Sequence, residues 1–148
     1  MEPLKLQNYL YNHIPITSAM GVEVRQCTYD QVVLFAPLAP NINHRDTVFG
    51  GSASTLAILS AWALLHVRLA NEPVTPRLVI QHNTMSYDKP IAGDFYAVCH
   101  YDTQSEWERF SKTLARRGRA RINVAAVLQC GTEVVANFEG RFVAAKPG

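Results

Sequence analysis

The run Asn43-His44-Arg45-Asp46-Thr47-Val48-Phe49-Gly50-Gly51-Ser52 sets an amide, an imidazole, a carboxylate and a glycine pair directly ahead of a long apolar segment. If that segment is a helix, its first N–H groups lack intrahelical partners and carry the positive end of the helix dipole. Such donors suit a carbonyl oxygen that becomes negative during a reaction. Glycines at that point let a ligand approach the backbone closely. The plain alternative is a tight Gly50-Gly51 turn with Ser52 as N-cap, and an Asn such as Asn43 in a polar loop commonly caps or turns the chain. Asp46 is the only acid in the loop, and it is the candidate base if water is the nucleophile.

Those residues need elements to hold them. Leu4, Leu6, Tyr9, Leu10 and His13 predict a short amphipathic helix closed by Pro15. Strands are expected over Gly21–Thr28 and Val32–Ala36 around a Tyr29-Asp30-Gln31 turn, and Pro37 and Pro40 end that hairpin. The polar loop Asn41–Val48 follows. From Ser52 to about Ala70 the pattern is helical and apolar on most sides, which predicts a buried helix with a sheet curled around it. After a turn over Asn71–Pro76, strands are expected at Arg77–Tyr87, Asp94–Tyr101, Ala120–Gln129 and Glu133–Ala144, with a helix over Gln104–Leu114. The order predicts one α+β domain spanning residues 1–148, its antiparallel sheet of about six strands set against one long central helix.

The bulk composition fits. A chain of 148 residues suits one domain, and 48% hydrophobic with 18% charged residues is ordinary globular composition. A net charge of +2 does not argue for nucleic acid. Cys27, Cys99 and Cys130 are odd in number and show no paired spacing, so they read as small buried or turn residues in a reducing cytosol. The N-terminal MEPLKLQNYLYNHIP lacks a signal-peptide pattern. The longest apolar stretch, Ala57–Ala70, is interrupted by Ser60, His66 and Arg68 and falls short of the roughly 20 residues of a bilayer span. The expectation is a soluble cytoplasmic protein with no membrane or nucleic-acid partner.

Asn43, Thr47, Phe49-Gly50-Gly51 and Thr55-Leu56-Ala57 together resemble the signature of hot-dog thioesterases, in which an Asn precedes a His-Gly-Gly turn that opens the central helix. Ser86 to Asp94 resembles the strand–Pro–Gly link after that helix, and Arg117 to Arg121 with Phe138 to Val143 resembles the last long strands. The resemblance runs from about Gly21 to near the end. It implies the hot-dog fold, an antiparallel sheet wrapped around one long helix, and a homodimer, with pairing into a tetramer left open.

Two departures narrow it. The family's turn His is Phe49 here, and the helical position that often bears Asp or Glu is Ile58. Phe49 and the apolar helix with Trp62 resemble the YiiD C-terminal-domain branch, whose members are reported as malonyl-acyl carrier protein decarboxylases supplying acetyl-acyl carrier protein to start fatty acid synthesis. Decarboxylation needs no activated water. It needs donors at the thioester oxygen, where an enolate develops. The resemblance then implies Asn43 and the Gly51 N–H as those donors, with Val48, Phe49, Ile58 and Trp62 as an apolar wall. His44, Thr47, Gly50 and Ser52 complete the binding residues. The rivals are a thioesterase using Asp46, and a non-catalytic module that binds acyl thioesters.

Lys112, Arg116, Arg117, Arg119 and Arg121 form a basic cluster that would attract an acidic carrier protein or the phosphates of coenzyme A, with Arg117 and Arg119 as binding candidates. The alternative is a solvated face whose arginines pair with Glu106 and Glu108. None of His13, His44, His66, His82 and His100 has metal-ligand spacing, so no metal and no cofactor are expected. His82 reads as a strand residue.

Overall fold

The computed structural model describes residues 1–73 and 75–148; Val74, inside the predicted Asn71–Pro76 turn, lies outside the described residues. In chain order the elements are α1 (Pro3–His13), α2 (Ile16–Ala19), β1 (Glu23–Cys27), β2 (Gln31–Ala36), a 3-10 turn (Ala39–Asn41), α3 (Gly50–Leu69), β3 (Arg77–Tyr87), β4 (Phe95–His100), α4 (Gln104–Arg117), β5 (Arg119–Cys130) and β6 (Glu133–Ala145). The strands form one antiparallel sheet in the order β1-β2-β4-β5-β6-β3. This is the expected α+β arrangement.

On β5 the even-numbered residues from Ala120 to Leu128 are buried and the odd-numbered ones from Arg119 to Ala125 are exposed. That period of two gives the sheet an apolar inner face and a polar outer face. The inner face closes over α3, where Leu56, Ala57, Ala61, Ala63, Leu64 and Leu65 have no exposed surface. The helix reaches 20 residues, longer than the Ala57–Ala70 run suggested and equal to a bilayer span. Burial inside the sheet accounts for its apolar length. The less covered stripe of α3 runs through Gly51, Thr55, Ile58, Trp62 and His66, at helical spacing.

Local chemistry moved several boundaries. α3 begins at Gly50 and not at Ser52, because the Ala53 N–H already donates to Phe49 O (3.0 Å) and Phe49 holds the extended N-cap conformation. Ser52 is therefore the third residue of the helix, not its cap. α2 and the 3-10 turn were not expected, since four- and three-residue helices are too short to show a period. α4 runs three residues past Leu114. It stops at Gly118, whose left-handed φ of 74° lets its N–H bond back to Leu114 O (2.8 Å).

Arg68 ties the far end of α3 to three other elements. Its guanidinium is buried, donates to Tyr29 O (2.7 Å) and Tyr101 O (2.9 Å), and lies 4.0–4.8 Å from the ring centroids of Tyr29, Tyr101 and Trp107. Asp30 approaches it at 3.5 Å. A buried charge is stable only with such partners. Removing the side chain strands two carbonyls and empties an aromatic cage. Arg68→Ala is expected to lower stability by about 3 kcal/mol, read from the urea midpoint; a loss below about 1 kcal/mol would show that the cage is dispensable.

Candidate functional site

The loop before α3 is built around Asn43. Its Oδ1 accepts from the N–H groups of Arg45 (2.8 Å) and Thr47 (3.1 Å), and its Nδ2 donates to Thr47 Oγ1 (2.9 Å) and Val48 O (3.3 Å). The Asn43 N–H also donates to Thr47 O (2.8 Å). Asp46 turns the chain with a left-handed φ of 63°, a conformation that Asp tolerates better than most residues. Below this knot, the N–H groups of Val48 and Phe49 donate to Ile91 O (2.9 Å) and Asn41 O (2.8 Å). These bonds fix the direction in which the chain enters α3.

At that entry the helix is uncapped. Phe49 has no side-chain acceptor to offer, and among the described residues nothing bonds to the N–H groups of Gly50, Gly51 and Ser52. The Phe49 ring folds back over Gly51, so that a Cβ added there would stand 2.3 Å from Phe49 Cε2. Glycine at 51 is what lets the ring lie there. Phe49 itself is 58% exposed, an unusual position for a large apolar ring.

Beside this turn is a cavity of about 370 Å3. Thr47, Val48, Gly50 and Ala53 form one wall, and Tyr87 to Ile91 with Ala136 form the other. Asp88 is the one acid of this lining. It accepts from the Ser86 hydroxyl and from Asn137 Nδ2 (2.8 Å), and these bonds hold its carboxyl below the ordinary range. It is thus an ionised acceptor at a fixed place. Lys89 next to it pairs with Glu133 (2.9 Å).

The structure brings Thr47, Val48, Gly50, Gly51 and Phe49 together at the helix start, and it sets the other expected residues elsewhere. Asn43 spends both amide protons within its own loop, so the expected free donor is a loop-building residue. His44 and Asp46 are exposed at the turn and do not line the cavity. Ile58 and Trp62 lie farther along the open stripe of α3. The Trp62 indole donates to Leu78 O (3.1 Å) and stacks on His66, and the Tyr9 ring lies between His13 and His66 in the same stack. Trp62 is therefore a packing residue joining α1, α3 and β3. Arg119 pairs with Ala145, whereas the cavity lies at the Tyr87–Ala136–Leu128 end of the sheet. Nine residues of β5 at about 3.3 Å each separate the two rows by about 30 Å, because α4 returns the chain to the opposite end of the sheet. Within one protomer Arg117 and Arg119 do not reach this site.

Asp88 and Tyr87 carried only a faint sequence signal. Pro90 ends the ladder of β3, and the Ser-x-Asp spacing permits the Ser86–Asp88 bond. That the pair faces α3 depends on the pairing of Tyr87 with Ala136. Cys99 and Cys27 are not nucleophile candidates: burial pushes the Cys99 thiol up to about 12 and raises Cys27 as well. Among the described residues no three His, Cys, Asp or Glu side chains gather as a metal site.

Residues 4–146 match the family model described as "Putative thioesterase (yiiD_Cterm)". The chain belongs to this family. A protein of unknown function from Chlorobaculum tepidum TLS is 29% identical with a TM-score of 0.91, over 98% of this chain and 94% of that one. The "putative thioesterase" of Shewanella oneidensis is 23% identical (TM-score 0.84; 97% and 96% covered) and shares the fold. A thioesterase from Haemophilus influenzae shares it at 11% identity (TM-score 0.77; 99% and 92% covered). The hot-dog architecture expected from the Asn43 to Ala57 signature is the one found.

Two predictions test the local reading of this hot-dog domain. Asn43→Ala removes four side-chain hydrogen bonds and is expected to cost about 2 kcal/mol; Asn43→Asp keeps the two accepted bonds and should cost less, and equal losses in chemical denaturation would refute the loop-building role. The second concerns pH. Burial and the neighbouring His13 hold His66 below its ordinary 6.5. The unfolded chain therefore takes up the proton first, so this contribution is intact above pH 6.5 and is lost as pH falls below it toward the lowered folded value. The urea midpoint should drop between pH 7.5 and 5, and His66→Gln should shrink that drop; an unchanged slope would contradict it.

Proposed function

We propose that this protein processes acyl thioesters, holding the thioester oxygen against the free N–H groups of Gly50, Gly51 and Ser52, and that its reaction is decarboxylation of a malonyl thioester. One observation carries the reading: an uncapped helix start opens on an apolar-walled cavity, while α3 bears no acid from Gly50 to Leu69. In the reaction the bond between the α-carbon and the carboxylate breaks. Carbon dioxide leaves, and its electron pair passes into an enolate whose oxygen the N–H groups stabilise. A proton from solvent then completes the acetyl thioester. Val48, Ala53, Ile91 and Ala136 supply an apolar surface beside the carboxylate that leaves. Asn43 acts by holding the loop in shape.

Hydrolysis is the second reading, and Asp88 is the observation that favours it. An ionised carboxylate lining the same cavity is placed to activate water, although its hydrogen bonds make it a weak base. It replaces Asp46 as the candidate.

A homodimer fits both readings. β3 pairs only with β6, leaves one edge free, and exposes Val79 and Tyr87 by more than half. A two-fold antiparallel pairing of β3 with its copy, centred near His82, would bring the partner's Arg77 and Arg119 row toward the cavity at Tyr87. A cytoplasmic setting suits the three free thiols.

Mass spectrometry of malonyl-carrier protein incubated with wild type, Gly51→Ala and Asp88→Asn distinguishes the reactions. Decarboxylation gives acetyl-carrier with wild type, a slower rate with Gly51→Ala because the displaced Phe49 ring crowds the first turn, and little change with Asp88→Asn. Free carrier that disappears with Asp88→Asn would instead establish hydrolysis.

A further inference from the structure

A second, roomier cavity lies away from the helix start. β4 pairs with β5 only at Val127–Gln129, so Arg119 to Ala126 of β5 bond to β6 alone and α4 runs beside the vacated edge. Between α4 and β5 is a furrow of about 480 Å3 that gathers Glu106, Arg109 and Thr113 of α4, Arg121 and Asn123 of β5, and Arg141 of β6. Arg109 and Thr113 continue it into a hollow lined by Lys112, Arg116 and Arg117. Arg141 and Asn123 continue it in the other direction past Glu139 of β6 to His82 and Thr84 of β3.

The charges in this furrow are free. Among the described residues, neither Arg109, Arg121 and Arg141 nor Lys112, Arg116 and Arg117 forms an ion pair, so the alternative reading, pairing with Glu106 and Glu108, is not realised. These six are drawn from 14 basic residues in a chain of net charge +2, and they outnumber Glu106 and Glu139, the two acids among the lining residues, so the furrow is net basic. They are also spread out. From Arg109 to Arg117 the helix rises about 12 Å, and β5, β6 and β3 add spacings of about 4.8 Å each. One phosphate cannot meet so long a row, whereas an acidic protein face can. Among the described residues no exposed Phe, Tyr or Trp lines the furrow, since Phe110 is 3% exposed, so it lacks the large stacking platform of a single-strand nucleic-acid site. No exposed large apolar side chain lines it, so it lacks the wedge of a membrane-binding face.

We infer that this furrow is the docking surface for an acidic carrier protein that presents the acyl thioester. The inference rests on the thioester reading of the cavity, and it selects the protein carrier over free coenzyme A. Arg121, Asn123 and Arg141 belong to the outer face of the sheet, whereas the cavity lies beside the start of α3. Docking and chemistry are therefore separable.

The test uses the full chain as wild type, as Arg121→Gln and as R109E/R121E/R141E. Binding of fluorescently labelled holo-carrier without an acyl group is followed by anisotropy, beside turnover of malonyl-carrier and of malonyl-pantetheine. Wild type is expected to bind more weakly as salt rises, Arg121→Gln to bind measurably less, and the triple variant to bind about tenfold less or worse. Turnover of malonyl-pantetheine should stay within about twofold in both variants, which also shows that they fold. Unchanged carrier binding in the variants overturns the inference, as does absence of carrier binding to wild type at low salt, or displacement of the carrier by coenzyme A alone. If the carrier binds in this arginine-dependent way but no thioester is turned over, the furrow assignment stands and the reading of the reaction fails. If malonyl-carrier is turned over equally by all three proteins, the reaction stands and the furrow assignment fails.

Discussion

A helix that is apolar on most of its circumference cannot rest on a surface, and the architecture of this protein follows from covering α3. Two layers would leave half of it wet. A sheet that twists and curls can bury it almost entirely, and six antiparallel strands do so with alternating residues such as Ala120, Ile122, Val124, Ala126 and Leu128. Two parts of α3 escape this cover. One is the stripe from Gly51 to His66, and the other is the first turn. The stripe is partly closed by the Tyr9, Trp62 and His66 stack, and the first turn has no side-chain cap.

The first turn shows how a local expense becomes a site. A Ser, Thr, Asp or Asn at the cap would have stabilised the helix by about 1 kcal/mol, and Phe49 stands there instead. Two glycines follow, less favourable to a helix than any residue but proline. Strong hydrogen bonding in the preceding loop offsets this, with Asn43 tying Arg45, Thr47 and Val48 together. The result is a rigid approach to a helix end whose donors are open, in a wall of Val48, Ala53 and Ile91. Donors held in place in this way need little reorganisation to meet a charge.

Charge is distributed on a separate plan. Arg68 lies inside, held by carbonyls and rings at the far end of α3. The arginines of α4 and β5 lie outside, where β4 and β5 separate, and among the described residues they form no ion pair. The cation inside stabilises the fold, and the cations outside are available to a partner. Only their surroundings distinguish these roles, since the residue type is the same.

The sequence by itself determined the elements and the fold class. Period-two alternation in β5 and β6, an all-round apolar run in α3, and proline and glycine at the boundaries are local signals, and local physics reads them correctly. It also marked the Thr47 to Gly51 stretch, because a glycine pair before an apolar helix has few uses. Tertiary structure decided what each candidate touches. Asn43 turned inward to its own loop because Thr47 and Val48 lie within reach, and Trp62 was taken by Tyr9 and Leu78, residues distant in the chain. Asp88 became the acid of the cavity through the pairing of Tyr87 with Ala136. The basic cluster moved about 30 Å from the helix start because a strand of nine further residues at about 3.3 Å each intervenes. Such placements depend on strand order and register, and those are set by which buried faces pack together, a property of the whole chain rather than of any stretch of it.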